Sequence, residues 1–243
     1  MEISHFWNKF DLQCKKIVFS TIFSLILCSA NAQKSQSINY AMYDTKKLNY
    51  GFILGGHYDS FLISHPQGYS SATDLQLRGA GGSGYTLGFV VNYHVNDILD
   101  LRLLPSVGFY ERMIKYNDFS DPNLTEEVTE LFESTFLELP ILFKFKSIRR
   151  KNTRFYFIAG VKPSIEVGAN KDKVKSTVLV TQTRDLSIEL GIGNDSYFPF
   201  FKFSPELRFS LGVLNMIDRD NISPSIYVKR MPSYSVGLYF VFE

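Results

Sequence analysis

The feature that most constrains the fold is a pair of long alternating segments within residues 84–110. One face of the first segment is entirely apolar or aromatic and consists of Tyr85, Leu87, Phe89, Val91, Tyr93 and Val95. The other face carries Thr86, Gly88, Asn92 and His94, with Val90 as its apolar exception. A period of two predicts a β-strand.

The second segment repeats this pattern after a short break at Asn96 and Asp97. Its apolar face holds Leu99, Leu101, Leu103, Pro105, Val107 and Phe109, and its polar face holds Asp100, Arg102, Ser106 and Gly108. The two segments therefore predict a hairpin with a tight turn. Strands of about ten residues exceed the usual ~5–6 of soluble sheets and match the roughly 9–11 needed to cross an outer membrane. Soluble sandwiches and barrels also alternate, so this hairpin alone leaves both classes open.

The same alternation predicts six further strands, at residues 50–62, 135–146, 154–167, 184–193, 200–213 and 233–242. Glycines on the inner face of the first strand suit a narrow barrel. The connections alternate between long and short, and the long ones are residues 63–83, 111–134, 168–183 and 214–232. Bacterial outer-membrane barrels sort their connections in this way. We therefore predict an all-β, eight-stranded antiparallel up-and-down transmembrane β-barrel with long extracellular loops and short periplasmic turns, and a short helix at residues 125–132.

The N-terminal segment, residues 1–32, resembles a cleavable secretory signal peptide. Lys9, Lys15 and Lys16 precede the apolar residues 17–27, and small residues near Ala32 suit cleavage. Residues 33–49 then form a polar periplasmic lead-in, and residues 50–243 form the barrel domain. The predicted location is the cell outer membrane.

The two cysteines, Cys14 and Cys28, both lie in the predicted signal peptide. The mature chain would therefore have no disulfide, thiol nucleophile or thiolate metal site. Lipidation of Cys28 is an alternative, although lipoprotein signals usually place a small residue where Leu27 stands. The net charge of +2 gives no basic excess for nucleic acid. The predicted mature chain lacks the ~20 consecutive apolar residues of a membrane helix, so a membrane location requires a closed barrel.

Residues 79–84, GAGGSG, match the letters of the dinucleotide-binding fingerprint. That fingerprint must follow a strand and open a helix, whereas here it follows a polar loop and opens a strand. We therefore expect residues 79–84 to form the flexible base of a loop and not a nucleotide-binding site.

A histidine–aspartate group is the one candidate for catalysis. His57, Asp59 and His65 would meet near the outer rim, where an outer-membrane hydrolase or acyltransferase needs a general base. Alternatively, His57 and His94 are lumen-facing polar side chains that neighbours satisfy. Spacing marks no serine partner, so we expect no enzyme, no catalytic residue, no metal site and no cofactor.

Charges of both signs occupy the predicted inner faces. They are Asp100, Glu138, Glu166, Asp185, Glu189 and Glu206, against Arg102, Lys144, Lys162, Lys202 and Arg208. The interior of an eight-stranded barrel is just wide enough to be filled by side chains, and an unpaired charge there costs several kcal/mol. A paired plug is therefore favoured over a selectivity filter.

Three segments resemble the PorT-like outer-membrane β-barrels of Bacteroidota: DTKKLNYGFILG at residues 44–55, FLELPILFK at 136–144 and YFIAGVKPS at 156–164. The resemblance implies a non-enzymatic component of the type IX secretion system, which exports proteins and in some species supports gliding motility. The resemblance implies no catalytic residues in this chain. The implied partners are outer-membrane lipids, the barrel assembly machinery during biogenesis and other type IX secretion components. The alternatives are an outer-membrane lipid-modifying enzyme and a structural or adhesin barrel.

Overall fold

Antiparallel strands make up most of the computed structural model, which describes residues 38–64, 76–117, 128–167, 183–216 and 230–243. The strands are β1 (Leu48–Phe61), β2 (Gln76–Ala80), β3 (Gly82–Asn96), β4 (Leu99–Leu103), β5 (Ser106–Asn117), β6 (Val128–Glu138), β7 (Ile141–Lys146), β8 (Thr153–Glu166), β9 (Arg184–Tyr197), β10 (Lys202–Gly212) and β11 (Ser233–Phe242). A short 3-10 turn, Ala41–Tyr43, precedes β1. In the described part of the chain, no helix is long and apolar enough to cross a membrane. The predicted signal peptide and His65 lie outside the described residues.

The strands form one sheet in which every pairing is antiparallel. From β1 the hydrogen-bonded ladders lead through β3 to β4 and β5, then to β7 and β6, and from both of these to β8. They continue through β9, β10 and β11, and β11 pairs again with β1. The short strand β2 pairs with the C-terminal part of β5. The first and last strands are therefore neighbours, and β1 is paired along both of its edges.

The sheet has eleven strands where the sequence predicts eight, and prolines account for two of the additional strands. Leu104–Pro105 separates β4 from β5, and Leu139–Pro140 separates β6 from β7. Proline has no N–H to give to a ladder, so the assigned strand stops there. The alternation of buried and exposed residues nevertheless continues across both breaks. Leu104 is buried like Arg102 and Ser106, and Pro140 is buried like Glu138 and Leu142. The third addition is β2, which only Gly81 separates from β3.

The strands also extend further into the predicted long connections than the sequence suggested. Residues 76–80 and 82–83 are strand rather than loop, and β5 continues to Asn117. The predicted helix at residues 125–132 is wrong from Val128 onward, because β6 begins there and pairs with β5. Residues 125–127 lie outside the described part. Cross-strand pairing with β5 outweighs the weak helical preference of this acidic stretch.

The two faces of the sheet invert the usual distribution of a soluble protein. Large apolar side chains point outward, and Phe89 is 71% exposed. Aspartate, glutamate, lysine and arginine side chains point inward and are mostly buried. Monomeric soluble proteins rarely expose an apolar surface of this extent, so the outer face requires an apolar environment. The predicted assignment of residues to the two faces is confirmed.

Candidate functional site

The buried charges of the inner face form a network whose centre is Glu206. Its Oε1 accepts hydrogen bonds from Arg102 and from the Tyr156 hydroxyl, the latter at 2.5 Å. Its Oε2 accepts from Nε of Arg208 at 2.8 Å. These groups lie on three strands, β4, β8 and β10, so their pairing depends on the sheet bringing opposite walls together. Glu206 is thus held by two guanidinium groups and a phenol.

A second carboxylate, Asp195, neutralises the lysines of the same region. Lys144 Nζ donates to both oxygens of Asp195 at 2.8 Å, and Ser204 Oγ donates to Oδ1 at 2.6 Å. Lys202 Nζ lies 3.8 Å from Asp195 Oδ1 and 2.6 Å from Glu243 Oε2. Lys144 also lies 3.7 Å from the centre of the Tyr156 ring. Because each of these side chains has a partner of opposite charge, the desolvation cost of burying them is offset.

A third group surrounds Asp100 on β4. Its Oδ1 lies 2.5 Å from Lys146 Nζ and 2.8 Å from His94 Nδ1, and its Oδ2 accepts from the Asn92 amide at 3.1 Å. His94 is thus satisfied by its neighbours, in agreement with the non-catalytic interpretation of this residue.

The lead-in residues close the short-turn end of this network. Tyr43 is buried, and its hydroxyl donates to Glu243 Oε1 at 3.1 Å and accepts from Lys202 Nζ at 2.5 Å. Burial, together with the Glu243 carboxylate, raises the pKa of the Tyr43 phenol well above its usual value. Burial by itself would raise the pKa of the Glu243 carboxyl, but Lys202 and Arg102 hold that pKa below its usual value. The phenol is therefore neutral, and the carboxylate is charged.

Further contacts attach the lead-in to the short turns. Asp44 forms ion pairs with Arg149 at 3.1 Å and with Arg154 at 3.0 Å. The backbone N–H of Asn39 donates to Asn152 Oδ1 at 2.8 Å, and the Asn39 side chain donates to the Tyr197 carbonyl at 3.2 Å. The segment Ile38–Lys47 therefore lies across the end of the inner face.

The opposite end of the interior has its own ion pair. Glu138 accepts a hydrogen bond from the Tyr110 hydroxyl and lies 3.4 Å from Lys162 Nζ. The Arg112 guanidinium packs 4.7 Å from the Tyr110 ring centre and 5.4 Å from that of Phe136. Asp185 Oδ2 accepts a hydrogen bond from Ser233 Oγ at 2.9 Å. Together with the network at the short-turn end, these contacts favour the predicted paired plug over an open selectivity filter.

The predicted histidine–aspartate group has the connectivity of a catalytic triad but no access. His57 Nδ1 lies 2.5 Å from Asp59 Oδ2, and Nε2 lies 3.0 Å from Thr86 Oγ1. The His57 and Asp59 side chains are 0% and 1% exposed, and Thr86 is buried. A substrate carbonyl cannot approach Thr86 Oγ1 in this arrangement, so the geometry supports a structural role.

The GAGGSG segment is strand rather than the predicted loop base. Residues 79–80 belong to β2 and residues 82–84 to β3. A Cβ at Gly84 would lie 2.3 Å from Cε1 of His57, so glycine at this position makes room for the imidazole. The motif therefore serves packing, and no helix follows it.

Three residues of the network escaped the sequence analysis. Asp195 lies in the predicted short connection between residues 193 and 200, Glu243 lies one residue beyond the last predicted strand, and Tyr43 lies in the predicted polar lead-in. A signal was available for the first two, since each continues the inner row of its strand with a period of two. For Tyr43 no local pattern existed, because its environment is made by distant residues.

Comparison with known families decides what kind of sheet this is. Residues 31–218, more than three quarters of the chain, match the family described as outer membrane protein beta-barrel domain. The chain belongs to this family. Membership indicates an outer-membrane location and explains the outward apolar face, which then lies in lipid. No curated protein matches the chain in sequence.

Several solved outer-membrane proteins are similar in structure to this outer-membrane β-barrel protein. OprG from Pseudomonas aeruginosa is 12% identical with a TM-score of 0.42, over 79% of this chain and 92% of that one. Neisserial surface protein A is 9% identical with a TM-score of 0.42, over 81% and 98%. AlkL, solved in lipid bilayers, is 11% identical with a TM-score of 0.40, over 86% and 94%. Because these TM-scores are low, the family assignment rests on the sequence match.

Proposed function

We propose that this protein is a plugged, non-enzymatic eight-stranded barrel that supports protein export as a PorT-like component of type IX secretion. The observation that carries the proposal is the paired charge network of the interior, closed at one end by Tyr43. A barrel filled in this way does not serve as a conduit for exported proteins. Its contribution to export is then to hold other components in place.

The count is eight if the short breaks after β2, β4 and β6 interrupt single membrane-crossing strands and do not separate different ones. In this interpretation β2 with β3, β4 with β5, and β6 with β7 each form one crossing segment, and the remaining five strands form one each. The uninterrupted alternation of burial across Pro105 and Pro140 supports this. Eight strands also suit an interior that side chains fill completely.

The lead-in is the surface we propose for partner binding. In an outer-membrane barrel the short turns face the periplasm, which places Ile38–Lys47 on that side. Met42 is 67% exposed, and Ile38 is also exposed, so this segment presents apolar side chains outside the sheet. Partners in the periplasm would therefore meet the segment that closes the plug.

The test is complementation of a strain that lacks the gene. The wild-type protein should restore secretion of type IX substrates, and Met42→Asp should reduce secretion while the barrel still assembles. The matched control is Met113→Asp, at the opposite end of the sheet, which should leave secretion unchanged. Normal secretion in the gene-deletion strain would overturn the proposal.

The second candidate, an outer-membrane lipid-modifying enzyme, is favoured by one observation, the Asp59–His57–Thr86 connectivity. His57→Ala with His65→Ala would abolish lipid modification under that hypothesis. Under the export hypothesis, the same variant keeps secretion if it assembles. Thr86→Val keeps the side-chain volume but removes the hydroxyl. Under the enzyme hypothesis this variant would also abolish lipid modification, whereas under the export hypothesis it keeps secretion.

A further inference from the structure

An apolar groove of about 880 Å³ crosses the outer face of the sheet near the short turns. Its walls include Phe145, Phe155, Phe157, Ile192, Leu207 and Leu238. Five of these lie on one row of directly paired residues that runs across β7, β8, β9, β10 and β11. The groove begins beside Ile98 and Ser147, which belong to the short-turn end. The groove is wide open to the outside of the sheet, and its lining is almost entirely apolar.

A break in the wall lies at the groove. The β9–β10 ladder contains the pairs Phe203–Ser196 and Glu206–Gly193 but skips the two pairs between them. Pro205 lies at the skipped positions and has no N–H to donate. The groove is consequently lined by Pro205 and Asn194 and also reaches the inward residue Glu206. The Asn194 Oδ1 is buried without a hydrogen-bond partner in the described structure.

A basic turn borders the lower end of the groove. Arg150 and Lys151, in the β7–β8 turn, are exposed, and no acidic side chain of the described residues pairs with either. Ile148 in the same turn is 86% exposed, and Phe200 in the β9–β10 turn is 91% exposed. Exposed apolar and aromatic residues beside basic ones are typical of the boundary between hydrocarbon and headgroups.

We propose that the groove and the basic turn together bind one anionic glycerophospholipid of the inner leaflet. An acyl chain lies in the apolar groove, and the phosphate meets Arg150 and Lys151 at its lower end. The order of the two parts along the wall, apolar above and cationic below, matches the order of chain and headgroup in that leaflet. The choice of leaflet rests on the proposed orientation, with the short turns in the periplasm.

The experiment is native mass spectrometry of the detergent-purified protein with dioleoyl phosphatidylglycerol, and with dioleoyl phosphatidylcholine for comparison. We expect one phosphatidylglycerol to be retained in preference. Because the loss of each basic residue near an anionic surface weakens binding about fivefold, Arg150→Glu with Lys151→Glu, which also adds two negative charges, should weaken retention by at least about 25-fold. The matched control is Arg184→Glu, an exposed cation at the opposite end of the sheet.

A second variant tests the groove separately from the charge. Ile192→Trp fills the groove from a lipid-facing position and should reduce retention of both lipids, with the barrel still assembled. Equal retention of the two lipids by the wild-type protein would overturn the headgroup assignment, and unchanged retention by Ile192→Trp would overturn the groove assignment.

Labelling of Lys151→Cys by a membrane-impermeant maleimide in intact cells separates this inference from the proposed function. Labelling would overturn the orientation and the choice of leaflet. Protection of the cysteine, together with selective retention of phosphatidylglycerol, would support the site even if secretion proved independent of the protein.

Discussion

The substitution Asp195→Asn tests whether the interior is held by paired charges. It keeps the side-chain volume and the acceptor for Ser204 but removes the negative charge. Lys202 keeps its ion pair with Glu243 at 2.6 Å. Lys144 loses its ion pair, because both of its 2.8 Å contacts are with the Asp195 carboxylate. Removing one partner of a buried pair costs about 3–5 kcal/mol. Because Lys144 keeps the Tyr156 ring at 3.7 Å, we expect the lower end, about 3 kcal/mol.

The measurement is urea unfolding of protein refolded into phosphatidylcholine vesicles. Circular dichroism and the heat-dependent shift on gels report the folded fraction. Tryptophan fluorescence is unsuitable, because the single tryptophan, Trp7, lies in the predicted signal peptide.

Two control variants sharpen this result. Lys144→Met combined with Asp195→Asn removes both charges and should recover most of the lost stability, which a double-mutant cycle measures. Asp44→Asn breaks partly exposed ion pairs and should cost less than about 1 kcal/mol. If Asp195→Asn costs no more than Asp44→Asn, the paired-plug account of the interior is wrong.

Three further predictions concern the wall and the ends of the barrel. Phe89→Arg places a charge in lipid at a cost of roughly 2–4 kcal/mol, so it should hinder insertion; unchanged heat-modifiable mobility would contradict the outward assignment of Phe89. Deleting residues 233–243 removes the partner of both β1 and β10, so the chain should accumulate in the periplasm or be degraded; its recovery, folded and protease-resistant, from the outer membrane would contradict the ring of pairings. The pKa of Glu243 is lowered by folding, so its stabilising contribution is present above the unfolded carboxyl value of about 4.3 and is lost as pH falls below it. Glu243→Gln should therefore flatten the acid limb of the stability profile, measured by urea midpoints between about pH 3 and 7.

The sequence by itself determined the two faces of the sheet. Alternation with a period of two depends only on the order of residues along the chain, so outward rows such as that of Phe89 were identified correctly. It also determined that the inner face carries balanced charges, because Asp100, Arg102 and Glu206 fall on inner rows whatever their partners are. The link to type IX secretion comes from resemblance and stays a prediction.

The tertiary structure decided which charges meet. Arg102 and Glu206 are 104 residues apart in the chain, and the Lys144–Asp195 pair depends on a register that no local pattern specifies. The same holds for Tyr43, which looks like an ordinary residue of a polar segment until Lys202 and Glu243 are brought beside it. Strand periodicity is a local property, whereas ion pairing in the interior depends on the register of every ladder between the two partners.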